Sequence, residues 1–210
     1  GFGTALALGD LDNDSYAEMI IGAPKTDDEN RLADVGAVMV FDHSNTLIQT
    51  HTGMAAKDYF GSSVAVGDIN HDGNADVIVG SPNADDGANG LVDAGNVTVL
   101  SSVTAEALFT AYGDRAKTLF GTSVAAGDVN HDGFDDVLVG SPGDVNGTLK
   151  NAGSIAVFSG STGVRLTKQF GATASAYHGN SVAVGDVNGD GFADIIAGSW
   201  KDDTLYAPFI

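Results

Sequence analysis

The sequence predicts an all-β fold, a β-propeller of four-stranded antiparallel blades, and three observations predict it. First, the stretch Phe120–Pro142 recurs as Phe2–Pro24, Phe60–Pro82 and His178–Trp200. The aspartates that lead its central loop, Asp10, Asp68, Asp128 and Asp186, are spaced by 58, 60 and 58 residues. A fixed period of that size marks one supersecondary unit per repeat. Second, each complete period holds four short runs with strand patterning, which is the content of one blade. Third, no helical periodicity competes: Lys57–Phe60 and Arg115–Phe120 are too short for more than a turn.

Each period divides in the same way. Strand A, such as Ser62–Gly67, alternates Val with Gly, Ser or Ala. Small residues of this kind suit a crowded place where sheets converge. An Asp/Asn-rich loop follows. Strand B, such as Ala75–Gly80, is β-branched and apolar on both faces, as a strand in the middle of a buried sheet should be. It stops at Gly-Ala-Pro or Gly-Ser-Pro, because proline cannot donate to a ladder. The B–C loops Lys25–Asp34, Asn83–Asp93 and Gly143–Asn151 differ from one another in sequence and length. Strand C is Val35–Phe41, Ala94–Leu100 and Ala152–Phe158, with period-two alternation. Strand D is Leu47–Thr52, Ala107–Tyr112 and Arg165–Phe170, each followed by a glycine and polar enough for an outer edge. The blades are therefore expected over residues 1–58, 59–118 and 119–176, with a partial fourth over 177–210. In that fourth, Lys201–Ile210 supplies at most the start of strand C.

The loop between strands A and B carries the chemistry. In Asp128–Asp136, oxygen side chains stand at alternate places: Asp128, Asn130, Asp132, then Asp136 ninth, with Gly133 at the sharp turn. Alternate oxygen donors around a glycine turn are the way a loop wraps a calcium ion. The four loops concentrate fourteen of the 28 acidic residues. A catalytic carboxylate pair, as in glycoside hydrolysis, is the alternative. These carboxylates sit within one turn, where their mutual repulsion asks for a cation instead. His71 and His131 fall between ligands at the fourth place, so they are expected to point outward as solvated side chains rather than to bind a transition metal. His43, His51 and His178 show no pairing that suggests a triad. Asp27–Glu29 and Asp85–Asp86 read as solvated acidic points in the B–C loops. They could otherwise meet a cation or a basic partner. Trp200 and Tyr206 read as packing residues, with a sugar-stacking surface as the alternative.

Composition bounds the setting. The 210 residues are 43% hydrophobic with a formal net charge of −19, so the chain is a folded, acidic protein and nucleic acid is excluded as a partner. There is no cysteine, hence no disulfide framework or thiolate site. No run in these residues reaches membrane-spanning length, and none reads as a signal peptide. The chain begins at Gly1 directly on a motif, and a processed or excerpted segment is expected. Calcium loops suggest an extracellular setting, where the ion is abundant. The sequons at Asn13, Asn96 and Asn146 are compatible with glycosylation.

These residues resemble the FG-GAP repeat family, the propeller of integrin alpha subunits and of many secreted proteins. The Phe-Gly pair is Phe2-Gly3, Phe60-Gly61 and Phe120-Gly121; the Gly-Ala-Pro is Gly22–Pro24, with Gly-Ser-Pro at Gly80–Pro82 and Gly140–Pro142. The fourth repeat departs at both ends, with His178-Gly179 and Gly198-Ser199-Trp200, and keeps its loop. The resemblance implies up to four calcium ions, one per repeat. Side-chain ligands would be Asp10, Asp12, Asp14 and Glu18; Asp68, Asn70, Asp72 and Asp76; Asp128, Asn130, Asp132 and Asp136; Asp186, Asn188, Asp190 and Asp194. Seventh-place carbonyls would come from Tyr16, Asn74, Phe134 and Phe192. Loop one departs twice, with Ser15 for the turn glycine and Glu18 for the last aspartate. The family's integrin propeller closes with seven blades, so a larger propeller is implied here. Calcium would be structural, and the B–C loops on the opposite face would contact a protein or glycan ligand in adhesion or recognition. Two other functions are weighed: a structural subunit that self-associates through open blade edges, and a non-catalytic propeller part of a secreted lyase or hydrolase.

Overall fold

The computed structural model describes residues 1–29 and 32–201. The expected start of a fourth strand C beyond Lys201, Tyr206, and residues 30 and 31 of the first B–C loop lie outside the described residues. Fourteen strands form four antiparallel sheets among the described residues. The first holds β1 (Ala5–Gly9), β2 (Glu18–Ala23), β3 (Ala37–Phe41) and β4 (Leu47–Thr52) in sequential order. The second holds β5 (Ser63–Gly67), β6 (Asp76–Ser81), β7 (Asn96–Leu100) and β8 (Ala107–Tyr112). The third holds β9 (Ser123–Gly127), β10 (Asp136–Ser141), β11 (Ser154–Phe158) and β12 (Arg165–Phe170). The last pairs β13 (His178–Gly185) with β14 (Asp194–Ser199).

The sheets stack as propeller blades through strand B, and its two apolar faces explain the packing. Side chains alternate along a strand, so Val77 and Val79 of β6 pack back onto Ile20, Val38 and Val40 of the first blade. Ile78 packs forward, with Val97 and Val99, onto Val137 and Val139 of the third. Leu138, Ile155 and Val157 continue forward onto Val182, Val184 and Ile195. At the stack's two ends the corresponding side chains lack a neighbouring blade among the described residues. Leu6 and Leu8 are 64% and 67% exposed, and Val187 and Ile196 70% and 46%.

Strand A of each blade lies against strand A of the next, β1 on β5, β5 on β9 and β9 on β13. This is the crowding that the small residues accommodate. The repeated glycines act between blades. A Cβ on Gly80 would fall inside contact distance of the Gly121 carbonyl oxygen, and Gly22 and Gly140 stand in the same relation to Gly61 and Gly179.

Strand D has the expected bounds, whereas strands A, B and C start later than the pattern predicts. Ser62 donates its N–H and hydroxyl to the Tyr59 carbonyl in a turn. The Ala75 N–H leaves its own sheet and donates to the Asp10 carbonyl of the first blade at 3.0 Å. Gly36, Gly95 and Gly153 pair in parallel with Phe60, Phe120 and His178 of the next blade.

Candidate metal centre

The four A–B loops share one hydrogen-bond scheme built from their own sequence. In loop three the Asp132 N–H reaches Asp128 Oδ1 at 3.1 Å and Asn130 Oδ1 at 2.8 Å, and Gly133 N–H reaches Asp128 Oδ2 at 2.9 Å. Phe134 N–H donates to Asp132 Oδ1 at 3.0 Å. Loop two repeats the scheme with Asp68, Asn70, Asp72 and Asn74. Loop four does so with Asp186, Asn188, Asp190 and Phe192. Loop one follows it with Asp10, Asp12, Asp14 and Tyr16. Short polar side chains hold the backbone in a turn by such local bonds, so the carboxylates are gathered by the loop itself.

The sixth place is left-handed in every loop. Gly73, Gly133 and Gly191 have φ of 89°, 87° and 90°, and Ser15 adopts 73°. The side chain of Ser15 makes this conformation costlier than glycine would. The fourth place is left-handed too, at Asn13, His71, His131 and Gly189.

The ninth residue closes each loop onto its second. Glu18 Oε2 accepts the Leu11 N–H at 2.7 Å, Asp76 Oδ2 that of Ile69 at 3.2 Å, Asp136 Oδ2 that of Val129 at 3.2 Å and Asp194 Oδ2 that of Val187 at 2.9 Å. Asp76 and Asp136 also take N–H groups from the C–D turn, from Ser102 at 3.3 Å and Gly160 at 3.2 Å. Both carboxylates are buried, at 0% and 1% exposure. Burial pushes the Asp76 carboxyl up to about 6, and the nearby Asp72 charge adds to it. Burial raises Asp136 as well. At Asp72 burial works upward, but hydrogen bonds from Asn74 and Asn70 outweigh it and the carboxyl is lowered.

Among the described residues no cationic side chain pairs with these two carboxylates. Among the described residues, the ion pairs are His43–Asp14, Arg165–Asp114 and Lys168 with Asp114 and Asp144, and none involves Asp76 or Asp136. Buried carboxylates without a counter-charge, in an all-oxygen donor set, fit a hard divalent cation. In loop one, carboxylate oxygens of Asp10, Asp12 and Glu18 lie within 4.8 Å of one another.

Contacts between loops add what single repeats do not disclose. His71 packs against Phe134 at 5.3 Å between ring centroids, and His131 against Phe192 at 4.7 Å. Both histidines are exposed, and each bridges to the next blade rather than standing free in solvent. Asp135 takes the place held by Ala17, Ala75 and Ala193 elsewhere, which is its only signal in the sequence. Its carboxylate accepts the Asp68 N–H at 3.0 Å, and burial raises it. In loop one, His43 of the C–D turn stacks on Tyr16 at 4.7 Å and stands 3.8 Å from Asp14. Nothing in the spacing of the sequence points to that pairing.

Elsewhere, Asp27, Glu29 and Asp85 of the B–C loops are exposed as expected, whereas Asp86 is buried, and three of these carboxylates also brace turns. Asp27 accepts the Asp34 N–H, Asp85 the Asp93 N–H, and Asp86, 6% exposed, the Asn89 side chain. Of the sequon residues, Asn13 is exposed, Asn96 is set in β7 with its Oδ1 enclosed, and Asn146 donates to the Gly171 carbonyl. His178 Nδ1 lies 2.9 Å from Ser199 Oγ, and Trp200 packs on Tyr177 while staying exposed. No helix among the described residues is long and apolar enough to cross a membrane.

Blades of four antiparallel strands, with an acidic turn joining strands A and B of each, define a repeat β-propeller. The chain belongs to the FG-GAP repeat family, which matches residues 2–41, 60–100, 120–158 and 178–199. It is 32% identical over 184 residues to integrin alpha-5 of Xenopus laevis, covering 83% of this chain and 17% of that protein. It is 32% identical over 225 residues to integrin alpha pat-2 of Caenorhabditis elegans, covering 95% and 18%. With human integrin alpha-IIb it shares 30% over 219 residues, covering 95% and 20%. The chain thus spans a fifth or less of these relatives. Among solved structures, the exotype rhamnogalacturonan lyase YesX superposes with a TM-score of 0.60 at 17% identity, covering 94% of this chain and 39% of that one. A rhamnogalacturonan lyase of Bacillus licheniformis gives 0.59 at 19%, covering 94% and 40%. These likenesses concern the fold.

Proposed function

We propose that the chain is a calcium-stabilised, non-enzymatic recognition module that acts in adhesion outside the cell or at its surface. The observation that carries this reading is the set of buried ninth-place carboxylates, Asp76 and Asp136 above all, that face no protein cation among the described residues. Calcium, when bound, supplies the missing positive charge. The chain's own part is to gather ligands by the N–H bonds of each loop and to fasten the loop to strand B and the C–D turn. Folding and ion binding are then linked. The integrin relatives support a role in recognising protein ligands, and the B–C loops, which differ in each blade, are the proposed contact surface.

Melting curves over a calcium titration test the first part: the transition should rise with calcium and fall with chelator. An unchanged transition in excess chelator refutes it. Exchanging the loop at Asn83–Asp93 for that at Gly143–Asn151 should alter partner binding without altering the calcium response.

The exposed Leu6, Leu8, Val187 and Ile196 faces favour a second reading, pairing with further blades of the same chain or of another copy. A mass in solution above that of one chain, falling after Leu6→Lys or Ile196→Lys, is its expected signature.

A further inference from the structure

Loop one differs from the other three at the positions that choose an ion. Its third ligand position holds Asp12, where the others have Asn70, Asn130 and Asn188, and its ninth holds Glu18. Asp76 and Asp136 use their second oxygen on N–H groups of the C–D turn. Glu18, only 1% exposed, takes the Leu11 N–H on Oε2, and no further hydrogen bond reaches it among the described residues. The turn brings an imidazole in place of that N–H. His43 Nδ1 lies 3.8 Å from Asp14 Oδ2, and one donor atom each from Asp14, Glu18 and His43 falls within 4.8 Å of the others. The Tyr16 ring stacks on the imidazole with planes 28° apart, which limits its rotation.

We propose that loop one is a mixed nitrogen–oxygen site for a borderline divalent ion, with zinc as its preferred occupant, held by His43, Asp14 and Glu18. Loops two to four offer oxygen alone. Calcium takes six to eight oxygen ligands, whereas imidazole suits zinc and its neighbours in the first transition row. Zinc bonds nitrogen and carboxylate oxygen at about 2.0–2.2 Å, so donors around one ion sit roughly 3–3.6 Å apart. The observed spacing closes to that with a small movement of an exposed side chain. His71 and His131, the other histidines near the loops, form no ion pair with a carboxylate and pack on phenylalanine instead. The inference rests on loop one being a metal loop and departs from the calcium assignment there.

The test is calorimetric titration of zinc into the whole chain in millimolar calcium, which occupies the all-oxygen loops. One equivalent should bind. His43→Ser, which installs the residue type found at Ser102, should weaken that step by about tenfold or more. A His71→Ala/His131→Ala double variant should leave it unchanged. Cobalt used as the probe should give a visible d–d band that His43→Ser abolishes, while the calcium-dependent melt of that variant stays at the parent value. Absence of the zinc step, or zinc binding and a cobalt band that survive His43→Ser, overturns the proposal. A melt that ignores calcium while the zinc step persists would refute the calcium reading and leave this one standing.

Discussion

Replacing Asp76 with asparagine should stabilise the metal-free protein and weaken its response to calcium. Asp76 is fully buried, and its carboxyl is raised from 3.8 to about 6, chiefly by burial. The folded value lies above the unfolded one, so the metal-free chain has its full stability with respect to this group below pH about 4. It loses that stability as pH rises through about 6. The difference of about 2 units at about 1.4 kcal/mol each amounts to roughly 3 kcal/mol above that window. Asparagine removes the charge, but its one oxygen cannot serve both the Ile69 and Ser102 N–H groups. Losing one such bond costs about 1 kcal/mol. The net gain at pH 7.5 in chelator is about 2 kcal/mol, or about 4–8 °C in the melting temperature of a chain this size. Scanning calorimetry of parent and Asp76→Asn, in chelator and in calcium, at pH 4 and pH 7.5, reads the effect. At pH 4 in chelator only the lost bond remains and the variant should be about 1 kcal/mol less stable than the parent, and it should show the smaller rise with calcium. An equal difference at both pH values, or an undiminished calcium response, refutes the reasoning.

Three further substitutions probe the frame around the loops. Gly80→Ala places a Cβ against the Gly121 carbonyl of the next blade and should cost about 1–3 kcal/mol or more in urea unfolding. Ser15→Gly relieves a left-handed serine at φ 73° and should stabilise the chain by about 0.5–1 kcal/mol in the same assay. Lys168→Met strands Asp144, 1% exposed and 2.7 Å from the lysine, and should cost about 3–5 kcal/mol. Adding Asp144→Ala, the residue type at Ala84, should recover most of that loss, and a double variant no better than Lys168→Met refutes the pairing.

What was legible in the sequence is what each repeat decides by itself. The D strands Leu47–Thr52, Ala107–Tyr112 and Arg165–Phe170 keep their expected bounds because alternation and a following glycine are local signals. The turns between strands A and B were legible for the same reason: Asp128, Asn130 and Asp132 organise theirs through bonds two to five residues long. Strand C was drawn too long because Gly36, Gly95 and Gly153 turn to the next blade for a partner. His43, Asp135 and the Lys168–Asp144 pair occur once each, so no period flags them. Their partners come from another turn, another loop or another strand. In the B–C loops Asp27, Glu29 and Asp85 are exposed as the sequence suggests, whereas Asp86 is buried, because composition does not reveal which carboxylate turns inward.

The neighbour relations also change what the repeat letters mean. Gly22, Gly80 and Gly140 are small so that Gly61, Gly121 and Gly179 of the following blade can approach. The loops obey the same rule. The Ala75 N–H binds the Asp10 carbonyl at 3.0 Å, the Asp135 N–H binds that of Asp68 at 3.2 Å, and His71 and His131 rest on the rings of the next loop. Loops one and two are therefore fastened at their first residue to the residue before strand B of the next blade. A cation that orders one loop also holds the place where the neighbouring strand begins. This gives a physical reason for the near-constant period of 58 to 60 residues between loop aspartates. Arg115 of the second blade reaches the Val145 carbonyl of the third B–C loop at 2.9 Å, but no such bond recurs at the same place in the other described B–C loops, and these loops are where the repeats diverge. The A–B loops thus repeat from blade to blade at one end of the strands, while variation gathers in the B–C loops at the other.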